Sequence, residues 1–444
     1  MLNFINYCNR MLANTPIPFK DYTLNGSRGF AFVFLLILLV KGSDIYSQDQ
    51  APPDTKLRNK DTTGRKLDFN ETDFGFTTAR IGMAFMNDWA WYSQDTEGKQ
   101  QLDSMDGELE NQSKVRDVRV FFSGKIRSKR YLEWRAAMMW DGKEQKFTFR
   151  ETGLIIGMPE LSGKIFIGRS KEGYSSSKVQ NGYSAPAIER QASLDPIAIM
   201  QDGIRYFGQT KRSNLFWSVG AFTNAFYWRS SAFMLYKSTY AARFGWLPVY
   251  KPEQNTWVHV GMSYRTAKPV NDSLQVRSKP ESNPAPYFID TKKFESDRTT
   301  AYGPEVYYYK GPLMIGSEVN IYKHRSVQAG NPTFWGGNIL MTYNLTGEPY
   351  PYIKDNAVSF FVNPYRTLFQ GGPGCWQLML TGTIYDTNNG LMPGGSLRKV
   401  TGAVNWYPSN DFAIKISYGY GVLDRFGIKG VTQFFQARFQ INLM

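Results

Sequence analysis

The chain has 444 residues, 16% of them aromatic and 20% charged, with a formal net charge of +14. Mean hydropathy is −0.41, and the longest unbroken apolar run, Phe30 to Val40, is too short to cross roughly 30 Å of hydrocarbon as a helix, which excludes a bundle of membrane helices. Two cysteines (Cys8, Cys375) and two histidines (His259, His324) exclude a disulfide scaffold and a Cys- or His-rich metal site, and no cofactor or metal is expected.

In chain order, residues 1–47 read as a signal peptide. Arg28 precedes the apolar run, the small residues Gly42, Ser43 and Ser47 follow it, and cleavage is expected near Ser47–Gln48. The stretch before Arg28 is longer than a usual n-region, which leaves room for a misassigned start, with Met11 or a later site used instead. Once Arg10, Lys20, Arg28 and Lys41 leave with Asp21 and Asp44, the chain keeps about +12. On an exported protein such a surplus points away from nucleic acid and towards an anionic solute. Residues 48–72 are polar, with Pro52, Pro53 and many charges, and read as a flexible periplasmic lead-in.

Residues 73–444 read as an all-β domain, a transmembrane antiparallel β-barrel with short periplasmic turns and long extracellular loops. The pattern is period two. Phe435, Ala437, Phe439, Ile441 and Leu443 fall on one face, and Gln436, Arg438, Gln440 and Asn442 on the other. Phe412, Ile414, Ile416, Tyr418 and Tyr420 alternate with Ala413, Lys415, Ser417 and Gly419, and Val258, Val260, Met262 and Tyr264 with His259, Gly261, Ser263 and Arg265. Lipid outside and water inside demand this dyad pattern. Strands are expected to start near 74, 114, 130, 147, 164, 201, 214, 238, 256, 300, 313, 336, 375, 398, 412 and 431. Sixteen is an even count, which puts both termini in the periplasm. Long loops are expected near 87–113, 172–200, 267–299, 324–335 and 387–397. Residues 346–373 fall where a short turn belongs, and are expected to fold into the lumen, form a lobe, or hide another strand pair. Trp134, Trp140, Trp257, Trp406, Tyr407, Tyr418 and Tyr420 are expected in interfacial girdles.

Several blocks resemble the phosphate-selective porin O/P family. They are Val115-Arg116-Asp117-Val118-Arg119 leading to Gly124-Lys125-Ile126; Tyr131-Leu132-Glu133-Trp134; Ile167-Gly168-Arg169-Ser170-Lys171 with the later Glu189-Arg190 pair; Asn344-Leu345-Thr346-Gly347-Glu348; Gly374-Cys375-Trp376-Gln377-Leu378; and Asn405-Trp406-Tyr407-Pro408. They run in family order over about residues 110–444. The resemblance implies a sixteen-stranded, trimeric, anion-selective porin of the Gram-negative outer membrane, not an enzyme, whose third loop folds inward. Here that loop is about 172–200. Two departures stand out: Arg169 where the family usually has Gln or a similar residue, and a final Met444 in place of an aromatic.

A sixteen-strand barrel encloses an aqueous channel, and basic side chains on its wall replace part of the hydration that a crossing anion loses. Alternation selects Arg119, Lys125, Arg135, Arg205 and Arg438 as lumen-facing; Arg150, Arg169 and Lys171 join them with weaker parity, and Lys178 and Arg190 from the inward loop. The expected partners are small anions, with phosphate suggested by the resemblance, and the lipid bilayer. A pore for another solute, such as a sugar or an acidic peptide, stays open because the chain is rich in aromatics. An outer-membrane lipase or protease is disfavoured, because neither histidine sits in a nucleophile motif.

Overall fold

In the computed structural model the described residues are 67–443, apart from 104–108, 143–144, 211, 224–235 and 360. The signal-peptide reading and most of the lead-in lie outside them. Sixteen wall strands follow one another: β1 Thr78–Gln94, β2 Gln112–Ile126, β3 Leu132–Asp141, β4 in two pieces (Lys146–Phe149 and Thr152–Met158), β5 Gly163–Ser170, β6 Gln201–Gln209, β7 Leu215–Thr223 and β8 Tyr236–Lys251. The second half comprises β9 Thr256–Pro269, β10 Arg298–Lys310, β11 Leu313–Arg325, β12 Thr333–Asn344, β13 Cys375–Asn389, β14 Met392–Tyr407, β15 Phe412–Arg425 and β16 Ile428–Leu443. Each pairs antiparallel with the next, and β1 pairs with β16 from Met83↔Leu443 to Gln94↔Thr432, so the sheet closes and leaves no edge.

Alternation decides the faces. On β9, Val260, Met262 and Tyr264 are 42–44% exposed, whereas His259, Ser263 and Arg265 are at most 1% exposed. Burial of the polar face means that the lumen is filled by chain. Three insertions do this, one of them the extracellular segment 273–295, on which Lys399 Nζ donates to Pro280 O at 2.8 Å and Gln436 Nε2 to Glu281 O at 3.3 Å. The connection after Ser170 packs its carbonyls on the inner wall: Lys415 Nζ donates to Ala185 O at 2.5 Å, Asn405 Nδ2 to Pro186 O at 2.9 Å and Gln440 Nε2 to Tyr183 O at 2.8 Å. Residues 346–373 enter from the periplasmic end. There Arg243 donates to Asn356 O and Ala357 O, Lys164 pairs with Asp355 at 2.6 Å, and Tyr352 Oη meets His259 Nδ1 at 2.6 Å. A short hairpin, Tyr352–Ile353 with Val358–Ser359, stiffens this insertion.

The two larger apolar clusters lie at the mouths, and a small one of Ala84, Met86 and Tyr183 sits where the inward loop meets the wall. At the extracellular end a hairpin (Ser273–Ser278 with Ile289–Glu295) brings Leu274, Val276, Phe288 and Ile289 against Phe334, Tyr385, Leu397, Leu423 and Phe434. At the periplasmic end Trp257, Tyr309, Tyr350, Val362, Cys375 and Tyr407 form the second cluster. Trp257 and Tyr407 therefore leave the expected girdle: they share the inner face of their strands with His259 and Asn405, and are 5% and 7% exposed. Tyr418 and Tyr420 do face outwards, and Trp376 and Trp406 stack at 5.5 Å. The loop expected at 387–397 is a tight turn, because β13 and β14 go on pairing past the membrane band to Asn389↔Met392.

Candidate functional site

The wall facing the inward loop, from β2 to β6, carries most of the basic candidates. Arg119 points inwards from the middle of β2, donates to Asp117 at 2.6 Å and lies over the Tyr183 ring at 5.1 Å. Arg150 stands in the break between the two pieces of β4, with its backbone N–H held by Ala137 O. Its Nε has no acceptor, and no carboxylate lies within ion-pair distance among the described residues. Arg190 from the loop donates to Ser177 O at 2.6 Å and Gln180 O at 2.8 Å, and Lys171 to Val179 O at 2.7 Å and Gln180 O at 3.0 Å. These four cations are near enough for their charges to act on one another.

Peptide carbonyls satisfy the donors of Lys171 and Arg190, but a dipole does not cancel a charge. The outcome is a partly desolvated cationic cluster. Burial holds the Lys171 ammonium well below the usual lysine range; Glu151 pulls it back up, and Arg190, Arg150 and Arg119 push it further down. Burial likewise pushes the Arg190 guanidinium down to about 10.

Towards the periplasm lies a cavity of about 200 Å³ lined by Arg135, Glu151, Lys164, Lys171, Arg205 and Asp355. Arg135 bridges Glu133 at 2.6 Å and Glu151 at 3.0 Å. Arg205 has no carboxylate within ion-pair distance among the described residues, and its guanidinium rests over the Phe207 ring at 4.5 Å. From mid-barrel down, the basic groups thus stand in series rather than in one ring.

The other candidates have different surroundings. Arg438 is 2% exposed and clamped by Asp88 at 2.6 and 2.8 Å, by Glu189 at 2.6 Å and by Ile188 O. It fastens the loop to the wall, with its charge closed. Lys178 is buried and donates to Leu194 O at 2.9 Å within the loop. Lys125 is exposed at the periplasmic end of β2. Arg169 shares by register the face of the exposed Ile167 and Ile204, and forms two 3.1 Å bonds with Asp202.

Parity alone overlooks Arg116. It has the same parity as the outward Val118, yet a bulge (Met86↔Asp117, then Asn87↔Val115) turns it inwards. It meets Glu189 at 2.8 Å and Asp141 at 3.3 Å. Burial alone would raise the Glu189 carboxyl, but Arg116 and Arg438 outweigh it and hold the group well below the usual carboxylate range. No residue type signals the bulge in advance. Lys164 and Lys415, also inward, were readable from alternation.

The barrel is similar in fold to known outer-membrane proteins. OmpT of Vibrio cholerae, in a structure described as its trimer form, superposes with a TM-score of 0.51 at 10% identity, covering 82% of this chain and 99% of that one. The outer membrane channel DcaP of Acinetobacter baumannii gives 0.50 at 10% identity, over 84% and 99%. An uncharacterized protein of Caulobacter vibrioides is 27% identical over 176 residues, so the match spans 38% of this chain and about a third (35%) of that relative. The model of one family, phosphate-selective porin O and P, matches residues 92–439. That match takes in the inward loop, the cation-lined wall and every strand but most of the first and the last few residues of β16, and the chain belongs to this family of outer-membrane porins.

Proposed function

We propose that the protein is a passive channel that prefers anions, with phosphate or another small anion as its solute, and that it works as a homotrimer. The observation that carries this reading is the run of Arg119, Arg150, Lys171, Arg190 and Arg205, in which four of the five have no carboxylate within ion-pair distance among the described residues. An anion entering from the loop side meets fixed donors and positive charge that took the place of water beforehand, and passes from one weak site to the next. Guanidinium forks suit oxyanions, which accept two parallel bonds. The family supports phosphate, and the trimer form of the similarly folded V. cholerae protein supports the assembly.

A channel rather than an enzyme is also what the histidines suggest. His259 is occupied by Glu305 at 2.7 Å and Tyr352, and His324 lies by Thr299 with Phe334 and Phe294 around it. The test is conductance of the purified protein in a planar bilayer under a salt gradient. The reversal potential is expected to show anion preference, and phosphate to block chloride current; cation preference overturns the proposal, and chloride current that phosphate never blocks removes phosphate from it.

A further inference from the structure

The outer wall has one feature the pore does not use. Across β11 to β15 the lipid-facing side is scooped into a groove of about 520 Å³. Its floor is Gly337 and Gly382, and its sides are Trp335, Ile339, Val400 and Tyr420. A Cβ at Gly382 would meet only the Ile339 methyl at 3.7 Å, and one at the neighbouring Gly402 would meet nothing within 4 Å. The wall is thus lowered at consecutive rows where other outward positions carry large side chains.

Arg398 lines the same groove. It is exposed, and pairs by register with Ile384 and Val422, both outward. It has no hydrogen bond or ion pair among the described residues. The nearest outward acids, one row towards the extracellular end, are engaged: Asp424 with Lys429 at 3.6 Å, and Asp386 with the Asn388 N–H at 3.0 Å. The stacked Trp376 and Trp406 mark the periplasmic girdle. Arg398 is eight residues along β14 from Trp406, which at about 3.3 Å per residue and a tilt of about 40° is roughly 20 Å across an apolar band of about 25 Å. Its guanidinium therefore reaches headgroup level on the extracellular side. A charge there is tolerated, but one without a partner among the described residues beside an apolar trough calls for an anion carrying a chain.

We propose that this groove is a lipid site: it seats an acyl chain of a phosphate-bearing lipid of the extracellular leaflet, and Arg398 pairs with that lipid's phosphate. The proposal rests on the outer-membrane placement of the barrel and is independent of what the pore conducts. The test is native mass spectrometry of the full chain in detergent, titrated with a phosphorylated, multiply acylated glucosamine disaccharide and with the same lipid stripped of phosphate. Wild type is expected to bind the phosphorylated form more tightly. Arg398→Gln should weaken it about tenfold and erase the difference between the two lipids, as loss of one charge-assisted bond implies. Gly382→Leu, which fills the floor at a site with room, should weaken both. Single-channel conductance and heat-modifiable mobility serve as folding controls, and both variants are expected to match wild type in them. Equal lipid binding by wild type and both variants overturns the proposal. So does loss of oligomer mass in Gly382→Leu without loss of lipid, which would make this face a contact between copies of the chain.

Discussion

Arg150→Gln isolates the charge of the proposed path from its architecture. Among the described residues Arg150 has no carboxylate to orphan, and the substitution leaves its backbone bond to Ala137 in place. A unit charge about 4 Å from a passing anion is worth roughly 1 kcal/mol in bulk water and about 4 kcal/mol at an effective dielectric of 20. Arg150 is half-buried, so about 1–2 kcal/mol is appropriate once solvent screening is counted. At about 1.4 kcal/mol per decade, the anion-to-cation permeability ratio should fall roughly 5- to 30-fold. Reversal potentials in a tenfold potassium chloride gradient read this directly, and low salt should enlarge the effect. An unchanged ratio in both Arg150→Gln and Arg205→Gln would refute the assignment of these residues to the conducting path.

Arg438→Gln should behave in the opposite way. It leaves Asp88 buried without its partner, which should cost about 3–5 kcal/mol and appear as a lower unfolding midpoint of the barrel in denaturant, with fluctuating conductance as the loop loosens. Asp355→Asn breaks a half-exposed pair with Lys164, so about 0.5 kcal/mol of stability is at stake; looser seating of residues 346–373 should appear as faster gating in single-channel records. Lys171 has its pKa depressed, so it is neutral at high pH and gains charge as pH falls. Anion preference should therefore rise as pH is lowered below the usual lysine range, and Lys171→Met should flatten that dependence. A slope that survives Lys171→Met would move the titration to another group.

The barrel was legible because each strand repeats one instruction, and sixteen repetitions average out local errors. All sixteen strands are found, fifteen within four residues of their expected starts and β14 six residues early, at Met392 rather than 398. What alternation cannot convey is anything that breaks it. Arg116 faces inwards through a bulge that depends on pairing with β1, and a pairing partner is not written in the strand that bulges. Trp257 and Tyr407 are aromatic, which suggests a girdle, yet register overrides residue type. The tight turn at Gly390 was hidden because strands that rise above the membrane lose their apolar face and look like loops. At the site, parity puts Arg119, Arg135, Arg205 and Arg438 on the inner face, but does not tell a charge that is cancelled from one that is not. That difference lies in the path of the inward loop, which puts Glu189 beside Arg438 and bare peptide groups beside Lys171 and Arg190.

The use of peptide carbonyls at positions 177, 179 and 180 has a consequence for how such a channel varies among relatives. A carboxylate counter-ion can be deleted or reversed by a single codon change; a main-chain oxygen cannot. The seating of Lys171 and Arg190 is thus inherited from the course of the backbone, and loops that keep both cations and follow the same course would keep it whatever side chains stand at 177, 179 and 180. Selection on the solute can then act on Lys171 and Arg190 themselves, while the side chains of the residues that lend the carbonyls drift freely.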